Sequence, residues 1–159
     1  MATPRKKPSA QDAIALLKAD HRQVEAWFSE FDRTRSASKK QQLASKICEA
    51  LTVHTVIEEE IFYPAFLQAT EDKEMHHEAV VEHAGAKALI AEIQGMSPED
   101  EYFDAKVTVL SEMIKHHVKE EEKTGGMFAE AKKSEMDLIA LGEELLARKR
   151  DLQSLSKAA

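Results

Sequence analysis

Ile47, Leu51, His54, Glu58 and Ile61 follow one another at alternating steps of four and three. Only a helix lines up such residues on one face. The stripe constrains the fold, and it also contains an anomaly: an imidazole and a carboxylate stand in an apolar seam. Burying either without a partner is costly. A metal ion would satisfy both, provided other parts of the chain bring further ligands to the same point.

The same spacing recurs three times. Ile14, Leu17, His21, Val24, Phe28 and Phe31 form one stripe, and His76, Ala79, His83, Ala86, Ile90 and Ile93 another. Phe103, Val107, Leu110, Ile114, His117 and Glu121 form the last. Five glycines, four prolines and the absence of strand signals add to an all-α class. Ser9 or Asp12 opens the first helix and Ser38 caps the second. The second runs from about Lys39 into the high 60s, with a kink or break just before Pro64. Thr70-Glu71-Asp72 turns into the third, which Gly95 ends. Ser97-Pro98-Glu99-Asp100 starts the fourth with proline at the first helical position, and Gly125-Gly126 breaks it. Leu138, Leu141, Leu145, Leu152 and Leu155 predict a fifth helix, with Gly142 inside it. Long amphipathic helices joined by short loops predict an up-down-up-down four-helix bundle with an additional C-terminal helix. The expected organisation is a disordered basic tail over 1–9, the bundle over 10–128, and an amphipathic helix packed on it over 129–159.

A chain of 159 residues with a net charge of −7 offers no basic stripe for phosphates, so nucleic acid is not the expected partner. Arg5, Lys6 and Lys7 form a basic cluster that reads as a solubilising tail. Cys48 alone permits no intrachain disulfide and reads as a small core residue. Neither a signal peptide nor a membrane-spanning stretch is apparent, so no membrane partner and a cytoplasmic location are expected.

Each of the four stripes carries a histidine, His21, His54, His83 and His117, and the third carries His76 as well. His21 and His54 are 33 residues apart, and His83 and His117 are 34 apart. An acidic residue precedes the first of each pair (Asp20, Glu82), and His-x-x-x-Glu-Glu occurs at His54-Glu58-Glu59 and again at His117-Glu121-Glu122. Two hairpins on one plan would bring four imidazoles and two carboxylates together inside a bundle. Such donors suit iron, manganese or zinc, and bridging carboxylates favour two ions. Six groups cannot saturate two six-coordinate ions, which leaves positions for water, a bridge or a small molecule.

The strings LLKADHRQVE, HTVIEEEIFYP, VEHAGAKALI and HHVKEEE, in that order over about Asp12 to Phe128, resemble the motifs of hemerythrin-like HHE cation-binding domain proteins. The resemblance implies a non-haem centre of two iron ions, oxo- or hydroxo-bridged, held by His21, His54, Glu58, His83, His117 and Glu121. Oxygen-carrying hemerythrins have a second histidine four residues from the one at His83, where this chain has Ala79 and Lys87. They also place an aspartate five residues after the last histidine, where this chain has Glu122, with Glu121 at four. The chain follows the bacterial pattern, which speaks against reversible oxygen transport. After Glu122, Lys123-Thr124-Gly125-Gly126 replaces the aromatic-proline pair of the first copy, so the end of that helix is expected to be distorted.

Other residues have plainer readings. His76 is expected to be structural or to support a ligand, and His77 and His116 to lie on the surface. Glu25 is an outside candidate ligand. Glu59, Glu60, Glu120 and Glu122 read as a solvated acidic face, with Glu122 an alternative to Glu121. Asp20 and Glu82 read as acceptors for ligand imidazoles. Trp27, Phe28, Phe31, Phe62 and Tyr63 read as core, with Tyr63 as a radical or proton donor the lesser alternative. The expected function is to bind or sense a small molecule (oxygen, nitric oxide, peroxide) or to handle iron. The alternative is an enzyme consuming peroxide or nitric oxide in stress defence.

Overall fold

The computed structural model describes residues 11–158, so the expected tail and Ser9 lie outside the described residues. All regular structure among these residues is helical: α1 (Ala13–Arg33), α2 (Ala37–Ile57), a π-helical turn (Glu58–Phe62), α3 (Tyr63–Thr70), α4 (Lys73–Gln94), α5 (Phe103–Glu122), α6 (Met127–Lys133) and α7 (Leu138–Ala158). α1, α2, α4 and α5 form the bundle, each packing on two neighbours in the ring, while α7 lies along α1 and α2.

The caps follow local chemistry. Asp12 accepts from Ala15 N–H at the start of α1, and Asp72 accepts from Met75 N–H at the start of α4. The second helix starts earlier than expected, because Ser36 and not Ser38 accepts from the amide three residues on. The fourth begins at Phe103 rather than at Pro98. Asp100 folds its carboxylate onto Ser97 N–H, and two successive turns precede the helix.

The expected disturbance before Pro64 is a π turn in an otherwise continuous helix. Tyr63 N–H reaches back to Glu58 O, five residues away, and the wider turn relieves the crowding that proline causes in an α-helix. The turn adds one residue to the register. The next seam position passes from Ile61, which is only half-buried, to Phe62, which is fully buried, followed by Phe66. Ile61 therefore packs only at the edge of the core and Phe62 takes the fully buried position, because a constant helical period does not hold across the turn.

α1, α2 and α4 each contribute to two apolar layers with a histidine between them, whereas α5 supplies only one of the layers and α6 supplies Met127 and Phe128 to the other. Along α1, Leu17 belongs to one layer and Val24 to the other, with His21 between; Ile57 and Leu51 flank His54 in the same way, and Ala79 and Ala86 flank His83. The polar centre is thus enclosed within the bundle.

α7 seats its buried Leu145 in the layer that contains Leu17 and Ile57, while Leu155, expected on the same stripe, is 65% exposed. Gly142 is what lets it approach: a Cβ there would stand 2.4 Å from Gln11 O and 2.9 Å from Ala13 N. Ion pairs from Arg148 to Glu60 and from Lys149 to Asp20 hold its far side.

Candidate metal centre

The six residues singled out from the stripes converge. His21, His54 and Glu121 offer atoms within 4.8 Å of one another, and so do Glu58, His83 and His117; all six are buried. The Nε2 atoms of His21 and His54 are 3.2 Å apart, and those of His83 and His117 are 3.1 Å apart. Two nitrogens bound to one ion at about 2.1 Å each stand at about this separation. The carboxylates link the pairs. Glu58 Oε1 is 2.9 Å from His54 Nε2 and 3.3 Å from His83 Nε2. Glu121 Oε1 is 3.3 Å from His21 Nε2 and 3.4 Å from His117 Nε2.

These close approaches are misaligned as hydrogen bonds. Glu58 Oε1 and Oε2 and Glu121 Oε1 are buried with no hydrogen-bond partner. Buried carboxylate oxygens left in this state call for a cation. The residues present therefore fit a metal, with nitrogen and oxygen donors and no thiolate.

The outer nitrogens are held by carboxylates from other positions. His54 Nδ1 meets Asp20 at 3.0 Å, His117 Nδ1 meets Glu82 at 3.0 Å, and His21 Nδ1 meets Glu122 at 2.8 Å. Such contacts fix ring orientation and turn Nε2 inward. Asp20 and Glu82 act as expected. Glu122 does not sit on the solvated face, and Glu59 stands 3.8 Å from His83 Nδ1, too far for a hydrogen bond. Glu60 and Glu120 do face solvent, each paired with a cation. The signal for Glu59 and Glu122 lay in the repeat itself: each directly follows a converging glutamate, as Asp20 and Glu82 directly precede histidines. A cation backs three of these carboxylates, Lys149 on Asp20, Arg22 on Glu122 and Lys87 on Glu59, and His116 Nε2 stands 3.2 Å from Glu82.

Burial disfavours charge on His54, but Glu58 and Asp20 beside it raise its pKa to about 10. Burial likewise opposes protonation of His117, and Glu121 and Glu82 outweigh it, holding its pKa well above the usual value. Glu58 resists burial in the converse sense: His54 and His83 hold it well below the carboxylate range. In the absence of an ion, protons on imidazole balance the buried carboxylates, and a bound cation takes over that role.

Tyr63, read first as core and only secondarily as a proton donor, is fully buried and aims its hydroxyl into the centre. It donates to Glu121 Oε2 at 2.9 Å and lies 3.0 Å from His83 Nε2 and 3.2 Å from His117 Nε2. Burial, with Glu121 and Glu58 nearby, raises its pKa well above the ordinary phenol value. The register slip of the π turn brings it there, which a uniform helical count misses. Phe128 of α6 is the other unforeseen neighbour, stacked on the His21 ring at 5.9 Å. His76 packs edge-on against Tyr63 and stays outside both ligand groups. His116 is 66% exposed, as expected for a surface residue. Glu25 pairs with Arg22 and does not join the centre. A cavity of about 20 Å³ lies among His21, His54, His83 and His117, with Leu51, Ala86 and Ile114 in its wall. That is room for about one water-sized molecule.

Comparisons with known proteins give the family and the fold. The family described as the Hemerythrin HHE cation binding domain matches residues 12–127. A crystal structure of a hemerythrin HHE cation-binding-domain-containing protein from Mycobacterium kansasii superposes with a TM-score of 0.76 at 18% identity, covering 92% of this chain and 90% of that one. A protein from a Nostoc strain named DNA nickase is 29% identical over 112 residues, which span 69% of this chain but only 31% of that protein.

Proposed function

We propose a function from one premise: the chain belongs to the hemerythrin HHE cation-binding domain family. In this reading the centre holds two iron ions and presents them to one small molecule, such as oxygen, nitric oxide or peroxide. His21, His54 and Glu121 would hold one ion, and His83, His117 and Glu58 the other. The observation that carries the reading is that Glu58 and Glu121, both buried, each reach both histidine pairs between the apolar layers of the bundle. Bound iron would supply open coordination positions and electron exchange. The chain's residues orient the donors, exclude bulk water and limit access to ligands that fit about 20 Å³.

A second reading, an enzyme that consumes peroxide or nitric oxide, is favoured by Tyr63. Its buried hydroxyl is a proton donor within 3.2 Å of two converging imidazoles. Protein produced with iron decides between them. About two irons per chain and visible charge-transfer bands that change on reduction support both readings, and absence of bound metal would sink both. Turnover of peroxide or nitric oxide, abolished in His54→Ala and weakened in Tyr63→Phe, selects the enzyme; reversible ligand binding without turnover selects the binding protein.

A further inference from the structure

One flank of the centre is built differently from the others. A cleft of about 220 Å³ opens between the first turns of α4 and the end of α5. Glu74, Glu78 and Glu82 line it at steps of four along one face of α4, and α5 adds Glu120 and Glu121. With Asp72 at the rim, the lining holds six carboxylates against one ammonium, Lys123, which pairs with Glu120 at 2.6 Å. Glu74 and Glu78 are exposed, and neither has a cationic partner among the described residues.

The cleft leads inward. His117 and Glu121 form its floor, and the same Glu121 turns its buried, unpartnered Oε1 toward His21 and His117 in the centre. Glu82 and His117 also line the small cavity among the histidines, so the two spaces share a wall. The other large grooves do not share these features. The groove of about 450 Å³ over α2, α4 and α7 touches none of the six converging residues. The groove of about 340 Å³ beside Lys149 also touches none of them, and it balances two carboxylates with two lysines.

We propose that this acidic cleft is the route by which a divalent metal cation reaches the buried centre. Glu74 and Glu78 gather the hydrated cation at the mouth, and Glu121 and His117 receive it at the floor. The inference rests on the metal-centre reading above. A cleft of one sign between low-dielectric walls concentrates the opposite charge and speeds its capture. Carboxylate oxygens suit a hard or borderline divalent ion in transit.

The test uses the full chain stripped of metal by a chelator and mixed rapidly with Co²⁺, uptake being read from the visible absorption of bound Co²⁺. The double variant Glu74→Gln/Glu78→Gln is expected to take up Co²⁺ about 3- to 10-fold more slowly at low ionic strength. The difference should shrink as salt shortens the screening length, with the final Co²⁺ per chain unchanged. Glu78→Lys should be slower still. Glu143→Gln/Glu144→Gln removes the same charge from an exposed position on α7 and should keep the wild-type rate. Equal rates in the cleft variant and wild type would overturn the proposal, and so would equal slowing by the α7 variant. Failure of the wild type to bind Co²⁺ at all would instead overturn the metal reading beneath it, visible in the endpoint and not in the rate.

Discussion

At the scale of single residues, the centre depends on which atoms of each side chain face inward. Asp20 touches no converging carboxylate, yet it holds His54 Nδ1 at 3.0 Å and is itself held by Lys149. Asp20→Asn should weaken metal affinity about 10- to 100-fold while leaving the fold intact, measured by competition with a calibrated chelator. Unchanged affinity would show that the bundle alone orients the ring. Tyr63→Phe strips Glu121 Oε2 of its donor in a dry site. It should cost about 1–3 kcal/mol in denaturant unfolding of the metal-free protein. Cys48 offers a pH test away from the centre. Burial raises its thiol to about 11, so below that pH it stays protonated. Native protein at pH 8 should resist a thiol reagent that reacts at once after denaturation; rapid native labelling would contradict the burial. The convergence of the six stripe residues was legible in the sequence, because each broke an apolar pattern. The hydroxyl of Tyr63 was not, because an aromatic next to a core phenylalanine carries no mark of where its polar end points.

At the scale of elements, two devices shape the bundle beyond simple periodicity. The π turn at Glu58–Phe62 keeps helix continuity across Pro64 and shifts the seam by one residue. The second copy of the motif solves the same passage differently: α5 stops at Glu122, and Gly126 starts α6 where a Cβ would stand 2.4 Å from Glu120 O. α6 then lays Phe128 over His21. The sequence repeat predicted two hairpins on one plan with a distorted end after Glu122, and the structure contains two such unlike endings. α7 depends on Gly142 in the same steric sense. Gly142→Ala would drive a methyl group into the backbone at Gln11 and Ala13, where no flexible side chain can yield. It should destabilise by about 1–3 kcal/mol and speed amide exchange in α7 ahead of the bundle. A melt identical to wild type would show that α7 docks less closely than described. In the sequence Gly142 looked like a weak point in a helix, since its contact partner lies more than a hundred residues away.

At the scale of the whole molecule, a charged layer separates two apolar ones, so the fold and the centre are energetically coupled. A ligand that binds only the folded chain stabilises it by about 2.7 kcal/mol at a hundredfold excess over its Kd. Removing metal with a chelator should lower the thermal midpoint by several degrees, and readdition should restore it; an unmoved midpoint would mean that the centre does not select for metal. The sequence by itself determined the helical class, the four stripes, the chain segments that pack together and the six residues that meet. All of these follow from a local period of three and four and from the cost of burying a charge. Only the tertiary structure decided the rest: the register slip that aims Tyr63 inward, the choice of Glu122 and not Glu59 as a hydrogen-bond partner of a converging imidazole, the capping of His21 by Phe128, and the acidic cleft beside α4. Those features arise where residues distant in sequence meet across helices, and periodicity along one helix says nothing about the rotation and offset of its neighbour.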